Sequence, residues 1–226
     1  MLVGLIIGLS SFIQGVTSFG FSLVALPLLV LFLPFNQVVP ILVLYSIVLN
    51  LMMLSRLFRH VHLRMILLLL LGGAMGIPLG IYMLTVVSPV VLKQFAGLMI
   101  VIVASILIAG RRVTLKKPEK YYGLLGGISG IMQGSLSLSG PPIVLFLSNQ
   151  DVDKMTFRAN LTAYFTLMNV ISIPGFILSG VVTEEVIHLT LKSMPMMVLG
   201  LLLGMYFVRY LDELLFNLKT EKSPST

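Results

Sequence analysis

Hydrogen-bonding side chains interrupt two apolar stretches of the chain, and these interruptions are where chemistry can occur. Gln14 to Gly20 carries a glutamine, a threonine, a serine and two glycines between runs of Leu, Ile and Val. Gln133 to Pro142 carries a glutamine, three serines, two glycines and two prolines. Amide groups and the free backbone N–H groups of a helix break can hold an anion without a buried arginine. The pattern indicates a site that binds an anion.

The second interruption contains the signals that begin a helix. Ser139 occupies an N-cap position, and Pro141 and Pro142 fall in the first turn, where a missing N–H costs nothing. Thr17 to Gly20 is a weaker version in the first stretch. A half-helix that starts within the membrane directs the positive end of its dipole at a solute. The alternative is that these glycines and serines only allow helices to pack closely.

The candidate substrate-binding residues lie at the two breaks, within two apolar spans and at the start of one span. Asn50 and Asn169 each either bond two helices together or face a cavity. Arg158 either attracts an anion at the cytoplasmic mouth or anchors a helix at the interface. The full set is Gln14, Gly15, Ser18, Gly20, Asn50, Gln133, Gly134, Ser137, Ser139, Gly140, Arg158 and Asn169.

The sequence gives little support to an enzyme or a metal protein, and we expect no cofactor. There is no cysteine and there are three histidines. An intramembrane protease built on Ser137 or Ser139 would need a facing His or Lys at depth, and His188 stands only near the start of a span. No Asp or Glu falls inside an apolar stretch, so an acidic relay for protons or sodium is not visible.

Composition identifies the solvent as a lipid bilayer. The chain is 58% hydrophobic and 10% charged, with a mean hydropathy of +1.07, whereas soluble domains carry about 25% charged residues. Stretches without charge, such as 65–92 and 159–183, have the length of membrane spans. The net charge of +7 comes from basic residues in short loops, which topology explains better than nucleic acid does. We predict an all-α, polytopic integral membrane protein.

Turn residues divide the first half of the chain into spans. A straight helix over 1–33 would reach about 50 Å, which is too long for one crossing, so it must break at Gln14 to Gly20. A turn at Pro34 to Gln37 precedes a span from about Val38 to Leu57. Further spans follow from about Met65 to Val87 and from Ser88-Pro89 to about Ala109.

The second half of the chain repeats the first. At an offset of 119, Gln14 aligns with Gln133 and Asn50 with Asn169, together with several Gly, Ser and Tyr residues. We predict a first transmembrane repeat at 1–110, a basic cytoplasmic linker at 111–120, a second repeat at 121–211 and a polar tail at 212–226.

The positive-inside rule favours copies of opposite orientation. If each broken run re-enters on its own side, thirteen basic residues lie inside and two, Lys93 and Lys192, lie outside. If each run crosses once, the split is nine to six. Inverted repeats with broken or re-entrant helices are therefore predicted, although whether the runs cross or re-enter stays open.

The residues at the two breaks resemble the TauE/SafE family of sulfite exporters and related permeases. The resemblance is carried by Gln14 to Leu29, Ser139 to Phe146, Phe157 to Leu161 and Tyr164-Phe165. It implies export of a small sulfur-containing or organic anion, such as sulfite, through a bacterial inner membrane. Family members often end with a further span that would match Val91 to Ala109 of the first copy, whereas this chain turns polar after Tyr210.

Several properties stay open at this level. The sequence does not identify the anion, the direction of transport or a coupling ion, and it leaves a homo-oligomer open. The alternative function is that of a non-transporting membrane scaffold or assembly factor.

Overall fold

The computed structural model describes residues 2–109, 121–148 and 153–221, with side chains to Tyr210, and these residues form an all-helical protein. No strand occurs within the described ranges. The predicted linker at 111–120 lies outside them. The nine α-helices of these ranges are α1 Leu2–Thr17, α2 Phe21–Leu29, α3 Phe35–Leu57, α4 Leu63–Val86, α5 Pro89–Ala109, α6 Tyr122–Leu136, α7 Gly140–Leu147, α8 Lys154–Leu178 and α9 Glu184–Glu221. A short 3-10 helix, Phe58–His60, follows α3.

The predicted spans are confirmed to within a few residues. Five helical segments are long and apolar enough to cross a membrane: Phe35–His60, Leu63–Val86, Pro89–Ile106, Lys154–Leu178 and Glu184–Tyr210. Their outward faces expose large apolar side chains, including Met75 and Leu178. Water would penalise such a surface, whereas lipid does not. The protein is a multi-pass membrane protein.

Both predicted breaks are present. At each break the preceding helix ends three residues after the glutamine. α1 ends at Thr17 and α2 begins at Phe21, while α6 ends at Leu136 and α7 begins at Gly140. Ser18 and Ser137 both adopt a left-handed backbone, with φ of 67° and 56°. Gly20, with φ of 103°, supplies the second left-handed residue of the first break. Equivalent serines in the two copies therefore end their helices in the same way.

Helices of the two predicted copies pack against each other through faces that carry glycine. α1 packs along α9 of the other copy, and α4 packs along α6. A side chain at Gly76 or Gly80 would collide with the backbone of α6, and one at Gly200 or Gly204 would collide with that of α1. These four glycines are structural, because only glycine lets the helix backbones approach so closely.

Contacts near the helix ends indicate the course of the hairpins. The ring of Tyr122, at the start of α6, lies 5.4 Å from that of Phe146, near the end of α7. α7 therefore returns toward the end from which α6 starts. α8 then begins with Asp153 as its N-cap, and Asn160 accepts a hydrogen bond from the N–H of His62 in the α3–α4 connection. This course agrees with the re-entrant alternative for the second broken run.

The last helix is longer than the sequence suggested. α9 continues to Glu221, so most of the segment predicted as a polar tail at 212–226 is helical. Residues 222–226 lie outside the described ranges.

Candidate functional site

A cavity of about 40 Å³ lies between the two breaks. Seven pairs of its lining residues are related by the 119-residue offset, so the two copies contribute walls from equivalent positions. These pairs are Gln14 and Gln133, Phe19 and Leu138, Gly20 and Ser139, Phe21 and Gly140, Ser22 and Pro141, Ser46 and Phe165, and Asn50 and Asn169; Leu23 and Ser137 complete the lining. The structure thus brings eight of the twelve candidate residues together in one place.

Each glutamine at a break bonds to the asparagine of its own copy. Gln14 Nε2 donates to Asn50 Oδ1 at 3.0 Å, and Gln133 Nε2 donates to Asn169 Oδ1 at 2.8 Å. Both pairs are buried and both span 36 residues. The same hydrogen bond therefore occurs at the same spacing at both breaks, and the internal repeat stays a prediction. These bonds show that the asparagines join helices while they line the cavity.

The first break fixes the orientation of these amides. The backbone N–H of Phe21 donates to Gln14 Oε1 at 3.1 Å. A backbone N–H can only donate, so the oxygen of Gln14 must face Phe21 and its nitrogen must face Asn50. Asn50 therefore turns its oxygen toward Gln14. Its Nδ2 makes no hydrogen bond to any described residue, and Asn50 lines the cavity.

The lining residues of the first copy, between 14 and 50, form the first wall of the cavity, and those of the second copy form the second wall. Backbone donors are found in the first wall. Val24 N–H bonds to Gly20 O at 3.1 Å, which makes it the first N–H bonded within α2. The N–H groups of Ser22 and Leu23 lie before this position and have no carbonyl partner within the helix. Both residues line the cavity. The start of α7 offers fewer such groups, because Pro141 and Pro142 carry no N–H.

Arg158 contacts the first break and does not line the cavity. Its Nε donates to Ser18 Oγ at 2.5 Å and its Nη2 donates to the carbonyl of Gly15 at 3.3 Å. A guanidinium at the end of α1 also complements the negative end of that helix dipole. Ser18, which is fully buried, is likewise not part of the cavity wall. A role for Arg158 in attracting anions stays a prediction.

Gly15 and Gly134 belong to helix contacts. A side chain at Gly15 would stand 2.7 Å from the carbonyl of Leu201 in α9, and one at Gly134 would stand 2.5 Å from that of Ile77 in α4. Neither glycine lines the cavity. Their geometry matches the packing alternative of the sequence analysis, and direct contact with a solute stays a prediction.

Sequence reasoning missed three notable residues of the wall. Ser46 precedes Asn50 by one helical turn and so shares its face of α3, a signal that was available. Ser22 follows the break and was hidden among apolar neighbours. Phe165 occupies the position equivalent to Ser46, so one wall is polar where the other is aromatic.

Metal chemistry finds no support in the described part of the chain, where no group of three or more His, Asp or Glu side chains is placed to hold an ion.

The fold and the site together define a polytopic helical membrane protein with a cavity between two broken helices, lined by both polar and apolar residues. The model of the sulfite exporter TauE/SafE family matches residues 1–218. The chain therefore belongs to this family, whose members are transporters rather than enzymes. Comparison with curated proteins and with solved structures finds no match.

Proposed function

We propose that this protein is a permease for a small anion, and that the anion binds in the cavity between the two breaks. Sulfite and other small sulfur-containing or organic anions are the proposed solutes, and a bacterial inner membrane is the proposed location. Family membership implies anion transport at the level of the family. The observation that carries the proposal is that the cavity lining includes Asn50, Ser22 and Leu23, each of which has a hydrogen-bond donor left over from the bonds of the helices.

The donors of the first wall favour an anion over a cation. Asn50 presents Nδ2, and α2 presents the N–H groups of Ser22 and Leu23. No acidic side chain belongs to the lining, so no formal negative charge in it would attract a cation. Donors aimed from a helix start gain further from the helix dipole. An oxyanion would satisfy these groups, whereas an apolar solute would leave them unpaired.

The size of the cavity favours a compact solute. A cavity needs roughly 10–15 Å³ to hold one water molecule. A volume of about 40 Å³ therefore accommodates a group of a few heavy atoms, such as the charged group of a small anion. Phe165 and Leu138 contribute apolar side chains to the wall.

An inverted arrangement of the two copies gives this cavity a role in transport. The division of thirteen basic residues against two supports opposite orientations, as does the return of α7 toward the start of α6. In such a protein a solute at the centre contacts equivalent elements from both sides of the membrane. We infer that the walls contributed by the two copies open alternately around the bound anion.

Flux into proteoliposomes tests the proposal. Purified protein would be reconstituted and supplied with radiolabelled sulfite, thiosulfate or sulfoacetate, with protein-free vesicles and a radiolabelled neutral sugar as controls. The expected result is saturable uptake of at least one anion and no uptake of the sugar. Absence of flux and of binding for every anion would favour the alternative of a membrane scaffold.

A further inference from the structure

The two left-handed serines of the breaks are equivalent in sequence but differ in their contacts. Ser18 Oγ accepts a hydrogen bond from Arg158 and lies outside the cavity wall. Ser137 Oγ is buried without a hydrogen-bond partner among the described residues, and Ser137 is 4% exposed. The cavity wall includes Ser137. The pseudo-symmetry of the site is therefore broken at this pair.

The asymmetry follows from the residue that occupies the position equivalent to Arg158 in the first copy. Arg158 stands four residues after the start of α8, and the position equivalent to it in α3 is Val39. The side chain of valine cannot donate a hydrogen bond. The hydroxyl of Ser18 therefore bonds to Arg158 within the protein, whereas the hydroxyl of Ser137 is left for another partner.

A buried hydroxyl without a partner is costly unless a ligand completes it. Leaving such a group unpaired costs free energy comparable to a lost hydrogen bond, and most buried polar groups in proteins are paired. We propose that Ser137 Oγ donates a hydrogen bond to an oxygen of the bound anion and that it determines which anions the site accepts. This assignment rests on the proposed function.

The assignment predicts that the two walls of the cavity bind the anion through different donors. Ser137 adds a donor to the second wall, where Pro141 and Pro142 have removed backbone N–H groups. The solute then needs one oxygen for the Asn50 side of the cavity and another for Ser137. Oxyanions with several equivalent oxygens, such as sulfite, meet this requirement.

Ser137→Ala and Ser11→Ala form a matched pair of variants. Ser11 Oγ is also buried without a partner in the described ranges, but Ser11 lies outside the cavity wall. Binding of sulfite and of sulfoacetate to purified protein would be measured by the rise in melting temperature with anion concentration. Loss of a hydrogen bond to an ion predicts roughly tenfold weaker binding for Ser137→Ala. Ser11→Ala should bind as the unchanged protein does.

The outcomes separate this assignment from the proposed function. If the unchanged protein binds an anion and Ser137→Ala binds it equally well, the role of Ser137 is wrong and the proposed function stands. Equal weakening by both variants would also overturn it. If the unchanged protein neither binds nor transports any of the anions, both fall. Ser137→Gly, which accepts a left-handed backbone without strain, repeats the measurement if the alanine variant does not fold.

Discussion

Replacing Asn50 by aspartate tests whether its amide nitrogen faces the solute. The change is nearly isosteric and keeps an oxygen for the 3.0 Å hydrogen bond from Gln14 Nε2. It removes the Nδ2 donor and adds a negative charge beside the cavity. The fold should therefore persist while anion binding is lost.

The magnitude follows from the donor that is removed. A hydrogen bond to an ionised group contributes about 1.5–3 kcal/mol, which corresponds to roughly tenfold to 150-fold in affinity. Repulsion between the introduced carboxylate and the anion adds up to about 4 kcal/mol at 4 Å in a medium of intermediate polarity. We expect binding of sulfite by Asn50→Asp at pH 8 to fall at least tenfold, with proteoliposome flux falling in parallel.

Asn160→Asp is the matched control. Asn160 is also buried on a spanning helix, and its Oδ1 accepts the N–H of His62 at 2.8 Å, but it lies outside the cavity wall. This variant should bind sulfite within about twofold of the unchanged protein. The reasoning would be refuted if Asn50→Asp bound normally while folded, or if Asn160→Asp weakened binding as much.

Three further predictions concern the scaffold. Gly76→Ala should lower the melting temperature by several degrees, because overpacking costs about 1–3 kcal/mol, whereas Gly97→Ala, which faces open space, should not; equal melting temperatures would contradict the packing role. In this cysteine-free chain, a membrane-impermeant thiol reagent applied to intact cells should label Ser179→Cys and not Ser223→Cys, and the reverse pattern would invert the topology. Hydrogen bonding to Thr156 lowers the pKa of Asp153, the N-cap of α8. The ionised cap therefore stabilises the fold at pH values above the ordinary carboxyl pKa, and this stabilisation is lost as the pH falls through the lowered pKa. Between pH 7 and pH 3 the melting temperature of Asp153→Asn should fall less than that of the unchanged protein, and an equal fall would count against the cap.

The spans could be predicted from sequence because their signals are local. Hydropathy and the turn at Pro34 placed α3 within three residues of its observed start at Phe35. The left-handed serines were not foreseen, since a serine before a helix is more often its cap. The helix in fact begins three residues after Ser137.

The cavity could be predicted only in part, because its construction depends on contacts between distant residues. Gln14 and Asn50 were both singled out, but the bond between them joins residues 36 positions apart. Arg158 and Ser18 meet across 140 positions, and no local pattern reveals that contact. Glycines at a break can pack or line a cavity, and only the neighbouring backbone distinguishes Gly15 from Gly20.

The crosswise packing of the copies has a consequence for how the protein is made. α1 leaves the ribosome well before α9, yet Gly8 and Gly15 pack against Gly200 and Leu201 of α9. At roughly 5–20 residues per second, synthesis of the intervening chain takes on the order of ten seconds or more. Through that interval this face of α1 lacks its native neighbour, so we expect the nascent protein to be most open to degradation before α9 enters the membrane.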